Sequence, residues 1–547
     1  MKFIILAFLI LCFAGSFSKG AGSLSKGAGS LRAQTPAPTN EKISGSPLFN
    51  GEPFLAMNPA NHQNLVAAWM TYSLISNEIT IKVRSSFDGG ATWSAAVELP
   101  HQESGWGSAD VSMAWQQNGM LFLCYVDYLA KSDTAGGVFV THSSDGGLTW
   151  SNPVLAIDAR ANSDEPLDRP WIAVDNSLAA TNGNLYIPTK PPSWNPLPNH
   201  TYYTRSSDGG LTWSTEAVLD SAPYSATIVK APMGSPTVAM GGTLYIAYPC
   251  YDHSQGVHAG FALAKSVDGG ASFTRSFILQ PVGAMDTLFK NGFQLLADPA
   301  NVNHLLFAWP DARNGDNDIY TSTSFDGGLT WSIPIRVNDD ASGNGVVQDM
   351  LWPVFAADGT LAVIWRDRRN GTGNGYASAT DTYYAISRDG GKTYEKNLRM
   401  TDSTAPYEKI LDEAGNDFMS AALTSDTLYA AWGDTRTGIL QVYFAKTAIG
   451  STSWVDFTSL SESLLQLTVS PNPAIDGQTV SFTLPAPSYC TLSLFDTRGV
   501  LVRQVLNGEQ NAGMHRVTLM RAGLSPGSYM LLLQTVTGTQ YAKLAIE

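Results

Sequence analysis

Cysteine, positive charge and long apolar runs are all scarce in this sequence. Only four cysteines occur in 547 residues, and Cys12 lies in the apolar N-terminal stretch. Cys124, Cys250 and Cys490 cannot all pair and none stands at metal-ligand spacing, which excludes a disulfide framework and a cysteine metal site. All three are expected as buried thiols. Lys and Arg number 33 against 47 Asp and Glu, a net charge of −14. That balance speaks against nucleic acid or an anionic membrane surface as partner. After the first residues no apolar run reaches about 18 residues, so no transmembrane segment is expected in the mature chain.

Glycine is abundant, with 50 residues, and Trp, Tyr and Phe together make 10 % of the chain. This composition suits strands joined by tight turns. The start "MKFIILAFLILCFAGSFSKG" has a short basic end, an apolar run and then small residues, so residues 1–19 are expected as a secretory signal, with cleavage there or as late as residue 34. Bulky Leu11 before Cys12 argues against a lipoprotein. Residues 20–44, with "SKGAGSL" written twice and then a Pro/Ala stretch, are expected as a flexible leader.

The octapeptide "SSDGGLTW" occurs at Ser143 and again at Ser206, and four looser copies begin at Ser86, Ser266, Ser324 and Ser387. Their aspartates, Asp88, Asp145, Asp208, Asp268, Asp326 and Asp389, are 57 to 63 residues apart. So regular a period marks a repeat architecture. Each copy sits between alternating strands, and Asp-Gly-Gly supplies the positive-φ positions of a tight turn. The repeated aspartates are therefore expected to be structural rather than catalytic.

The motif resembles the Asp-box (BNR repeat) of sialidases and related β-propellers, over roughly residues 45–458. Seven apolar strands of the type "NLVAAW", "TLAVIW" and "TLYAAW" accompany the six boxes, and the seventh box has decayed to "GSTSWVDF". The expected fold is all-β: an Asp-box propeller of seven blades, with six blades plus a closing unit as the alternative. After a linker at 459–466, residues 467–547 predict a small β-sandwich. Its "SPNP", "LSLFDTRGVLV", "LSPGSYML" and terminal "AKLAIE" resemble the C-terminal sorting domain of the type IX secretion system. That resemblance implies the type IX machinery as a partner and a secreted or cell-surface location. An ordinary carbohydrate-binding sandwich is the alternative.

Up-and-down connectivity puts the boxes on one face, so function is sought on the other, around the axis. Candidates there are Glu52, Asp168 and Asp367 as catalytic groups. Arg169, Arg313, Arg368 and Arg436, with Trp106 and Trp194, are candidates for substrate binding. Arginines suit a ligand carboxylate and aromatic plates suit a sugar ring. Asp110, Asp349 and Asp417 also fall at inner-strand starts. The W-x-D-x-R unit at Asp311, Asp367 and Asp434 reads equally as an interblade clamp. Asp311, Asp316 and Asp318 do not match a calcium loop, and neither metal nor cofactor is expected. Sialidases use an arginine triad and a tyrosine nucleophile. Here Glu52-Pro53 stands where the family's R-I-P signature would be, and no motif selects Tyr251 or Tyr407 (beside Glu408) as nucleophile. The expected function is binding of extracellular glycan or glycoprotein through the polar funnel, with exo-sialidase-type hydrolysis of terminal acidic sugars as the alternative.

Overall fold

The computed structural model describes residues 37–45, 47–129, 135–159, 167–192, 200–221, 233–251, 259–279, 292–372, 375–409, 415–450, 467–473, 477–484, 487–496, 501–535 and 538–546. The signal, Cys12, Trp194 and "STSWVDF" lie outside them. Among the described residues every regular element is a strand. The chain divides into two units, residues 1–451 and 452–547.

Among the described residues the first unit contains seven four-stranded antiparallel sheets. Their first strands are Asn50–Met57, Gly107–Trp115, Ala173–Val174, Ser235–Val238, Gln294–Ala297, Gln348–Phe355 and Ser420–Leu423, and the sheets are numbered 1 to 7 in this order. Each first strand contacts the first strand of the next sheet, and that of sheet 7 contacts that of sheet 1. The sheets therefore form a closed ring, a β-propeller. Serine hydroxyls join neighbouring inner strands. Ser112 Oγ donates to Pro170 O at 2.6 Å and accepts from Ile172 N, and Ser420 Oγ does the same with Pro53 O and Leu55 N.

Closure uses both ends of the unit. The fourth strand of sheet 7 is Glu41–Lys42, pairing with Gln441–Ala448 through Glu41↔Phe444 and Lys42↔Tyr443. Ile43 is wholly buried beside Val442 and Phe444. Residues 41–44, expected as the end of a flexible leader, are thus part of the ring. No turn joins the third and fourth strands of sheet 7, so the chain needs no seventh box there.

The six boxes are the turns between third and fourth strands. In the first, Ser86 Oγ donates to Asp88 Oδ1 and accepts from Gly90 N, while Asp88 also accepts Thr92 N and Thr92 Oγ1. Hydrogen bonds from the Thr212 hydroxyl and backbone and from Ser206 hold Asp208 at about 2. The second glycine faces the preceding sheet: at Gly90, with φ of 78°, a Cβ would stand 2.4 Å from Phe444 Cζ. Trp93 packs edge-on against the same Phe444. The boxes therefore close the seams between sheets.

The second unit has a three-stranded and a four-stranded sheet. Its core contains Val480, Phe482, Cys490, Leu492, Leu494, Leu531, Leu533 and Leu544. Cys124, Cys250 and Cys490 are all free and buried, as expected.

Candidate functional site

Among the described residues, aromatic side chains occupy the centre of the ring. Phe54 of sheet 1, Trp171 leading into sheet 3, Trp352 of sheet 6 and Phe418 leading into sheet 7 converge there. Ring centroids lie 5.9 Å apart for Phe54–Trp171, 5.8 Å for Trp171–Trp352 and 5.1 Å for Trp171–Phe418. Sheets 3 and 6 are not neighbours, so their contact means that aromatic side chains plug the axis. A small gap remains, lined by Trp171, Met233, Met350, Trp352, Arg169 and Asp417 among others.

Around this plug the inner strands bring charged groups inward by a repeated distortion. Glu52, Asp110, Arg169 and Met350 have φ between 51° and 55°. In sheets 1, 2 and 6 that residue lies where the pairing of the first two strands shifts register, between Gly51 and Phe54, Ala109 and Ser112, and Asp349 and Trp352. A non-glycine residue in this region costs about 1–3 kcal/mol, and such strain concentrates at functional sites.

Arg169 is the hub. Its Nη2 donates to Asp417 Oδ2 at 2.5 Å, its Nε approaches Asp168 Oδ1 at 3.9 Å, and its backbone N donates to Asp110 Oδ2 at 3.2 Å. Asp168 also accepts the Lys190 ammonium, and the two backbones form an antiparallel bridge. Burial opposes the charge on Arg169, but Asp417, Asp168, Asp110 and Glu52 outweigh it and raise its pKa. Burial, reinforced by the Asp168 charge, pushes the Asp110 carboxyl up to about 7 despite Arg169. Burial lowers Lys190.

A second ionic group stands at the start of sheet 6. Arg366 binds Asp349 through Nε at 2.7 Å and Nη2 at 2.5 Å, and Arg368 reaches the same carboxylate at 3.1 Å. Burial works against ionisation of Asp349, but the two guanidinium groups outweigh it and hold the carboxyl at about 2. Among the described residues no group of three or more His, Cys, Asp or Glu is arranged to hold a metal ion.

Of the sequence candidates, Glu52, Asp168 and Arg169 meet at this axial site, joined by Asp110 and Asp417. Arg368 lies in the Asp349 group. The W-x-D-x-R units are built as clamps. In sheet 6 Asp367 accepts Trp365 Nε1, Arg369 N and Arg369 Nε, and the Arg369 guanidinium lies 4.3 Å from the Tyr383 ring. Arg313 repeats this with Asp311 and Tyr320, and Arg436 with Asp434 and Tyr443. Arg436 also binds Asp402, in the loop leaving sheet 6. Arg369 likewise binds Asp339, in the loop leaving sheet 5, so these two guanidinium groups bridge neighbouring sheets, and Arg313, Arg436 and Asp367 are not drawn to the Arg169 hub. Trp106 is half-buried against the core around Val111 and Tyr125. Lys190 and Arg366 escaped the sequence reading, although the alternation of "LYIPTK" and "LAVIWR" places each at the inner end of a second strand.

Fold and tail together define an exported β-propeller protein. Residues 468–547 match the family model of the secretion system C-terminal sorting domain. The tail sends the protein through the type IX secretion system to the cell surface or the extracellular space. A search of the curated proteins found no match. Among solved structures the chain is similar to the phage phi92 endosialidase, at 12 % identity and a TM-score of 0.44, over 93 % of this chain and 88 % of that one. It is also similar to the Hadza microbial sialidase Hz136, at 14 % and 0.40, over 68 % and 74 %. A third similarity is to the Penicillium chrysogenum alpha-L-arabinanase complexed with arabinobiose, at 13 % and 0.38, over 76 % and 99 %. No helix among the described residues is long and apolar enough to cross a membrane.

Proposed function

We propose that the axial site is a ligand site and that its ligand is an extracellular glycan. One observation carries this reading: Glu52 and Asp110 in the first strands of sheets 1 and 2, and Arg169 leading into sheet 3, take the same costly backbone conformation as Met350 of sheet 6, and three of these four residues bring a charge to one aromatic plug. A ring needs no such strain to close, since among the described residues the first strands of sheets 4, 5 and 7 join it without positive φ. The chemistry suits a sugar, with carboxylate acceptors and a guanidinium donor for hydroxyl groups beside aromatic and apolar surface. Export to the outside places the protein where glycans are met.

Hydrolysis is the second reading, favoured by Asp110. A carboxyl raised to about 7 keeps much of its proton near neutral pH and can deliver it to a glycosidic oxygen, while a carboxylate paired with Arg169 serves as the second acidic group. Asp110 and Asp417 are the residues so paired. The test is a glycan array with the purified chain, followed by product analysis on any glycan that binds. Saturable binding lost in Arg169→Met supports the site, and turnover lost in Asp110→Asn adds the enzyme. An array without binding overturns the glycan reading.

A further inference from the structure

The charge of the site's reachable surface carries the reading above one step further, and the inference rests on that reading. The described side chains open to a ligand at the hub are Asp168, 22 % exposed, Asp417, 17 % exposed, and Arg169, 15 % exposed, with Asp110 half-buried beside them and largely protonated below about 7. Two acids therefore flank one cation. Glu52 lies buried below, and Lys190, only 2 % exposed, is turned onto Asp168. The donors of Arg169 are directed at protein groups: Nη2 at Asp417, Nε towards Asp168, Nη1 towards Met233 Sδ at 3.9 Å. Arg366 and Arg368 are 4 % and 1 % exposed and enclose Asp349, so neither reaches a ligand. Arg313, Arg369 and Arg436 are committed to their clamps.

A ligand carboxylate entering here meets two carboxylates and a guanidinium already engaged by both. Like charges at contact distance repel strongly where the protein excludes part of the water. An ammonium group meets the reverse situation: it donates to Asp168 and Asp417 and compensates the excess of Asp168, Asp417 and Glu52 over Arg169 and Lys190. We infer that the axial site selects a cationic glycan, one carrying free amino groups, and rejects acidic sugars. Asp168 and Asp417 are the specificity-determining residues, and Asp168 Oδ1, with only the 3.9 Å approach of Arg169, is the nearest acceptor for the ammonium.

The experiment uses the purified full chain and calorimetric titration at about pH 6 with three probes: a glucosamine tetramer, its N-acetylated counterpart and sialyllactose. The expected result is binding of the free amine at least tenfold tighter than of the acetylated tetramer, no detectable sialyllactose binding, and weakening with added salt. Asp168→Asn and Asp417→Asn are each expected to lower affinity for the amine tenfold or more, with thermal melts recording whether each variant is folded. The comparison on the unaltered chain needs no variant to fold. Equal or tighter binding of sialyllactose overturns the inference, and so does equal binding of the acetylated tetramer, although in both cases glycan binding itself stands. Failure of all three probes overturns the inference, and together with a blank array it overturns both readings.

Discussion

Arg169 Nη2 and Asp417 Oδ2 lie 2.5 Å apart although 248 residues separate them in the chain. One residue leads into sheet 3 and the other into sheet 7, so the pair exists only because the ring closes. It ties the site's chemistry to the integrity of the whole propeller.

Replacing Arg169 by Met should therefore act on both. Asp417, Asp168 and Asp110 would lose their shared cation, and removing one partner of a buried pair costs about 3–5 kcal/mol. Chemical denaturation should show a loss of that order together with loss of ligand binding. A fully stable variant with lost binding would make Arg169 a ligand residue with no part in holding the hub.

Asp367 should behave differently. Its carboxylate satisfies Trp365 Nε1 and Arg369 inside a clamp. Asp367→Ala is expected to destabilise the protein by about 3 kcal/mol, again the scale of a broken buried pair, while the folded fraction keeps its ligand affinity. A variant of unchanged stability and lost activity would restore Asp367 to the reacting groups.

Two carboxyls set opposite pH trends. Asp110 titrates near 7 in the folded chain against 3.8 ordinarily, so between those values the native state binds more protons than the unfolded state and stability falls as pH rises. Asp349, at about 2, binds fewer protons than in the unfolded chain, so its contribution is lost as pH falls from about 4 towards 2. Unfolding measured at about pH 4, 5.5 and 7 should show the first trend in the parent and its disappearance in Asp110→Asn. An unaltered slope in that variant would assign the trend to another group.

Gly90 and Gly209 separate the two tasks of the box glycines. Both have positive φ, 78° and 73°, but a Cβ on Gly209 meets nothing within 4 Å whereas one on Gly90 strikes Phe444. Gly209→Ala should cost about 1–2 kcal/mol of backbone strain. Gly90→Ala should cost a further 1–3 kcal/mol or so from overpacking. Equal losses would mean that the seam between sheets 7 and 1 yields freely.

With Cys124, Cys250 and Cys490 all reduced and buried, adding a thiol reductant should leave the melting temperature unchanged. A reductant-dependent drop would reveal a covalent link that this fold does not contain.

Local chemistry was legible in the linear sequence. The Ser-x-Asp-x-Gly-x-Thr turns could be read because the serine, aspartate and threonine side-chain bonds that shape them span four residues or fewer, and the buried thiols because cysteine in an apolar strand has no other place. The tail could be read from its turn motifs. The W-x-D-x-R unit was half legible: its internal bonds span two residues, yet whether the guanidinium turns inward to the axis or back onto a tyrosine of the next strand depends on sheet pairing. Two features belong to tertiary structure alone. Glu41–Lys42 completes sheet 7 by pairing across some 400 residues, which no periodicity announces. The Arg169 hub draws on sheets whose distance from one another is set by how many sheets stand between them and by the bulges that aim Glu52, Asp110 and Arg169 inward. Short-range hydrogen bonds are encoded where they form, whereas a site on an axis gathers residues from several repeats and exists only after the last strand meets the first.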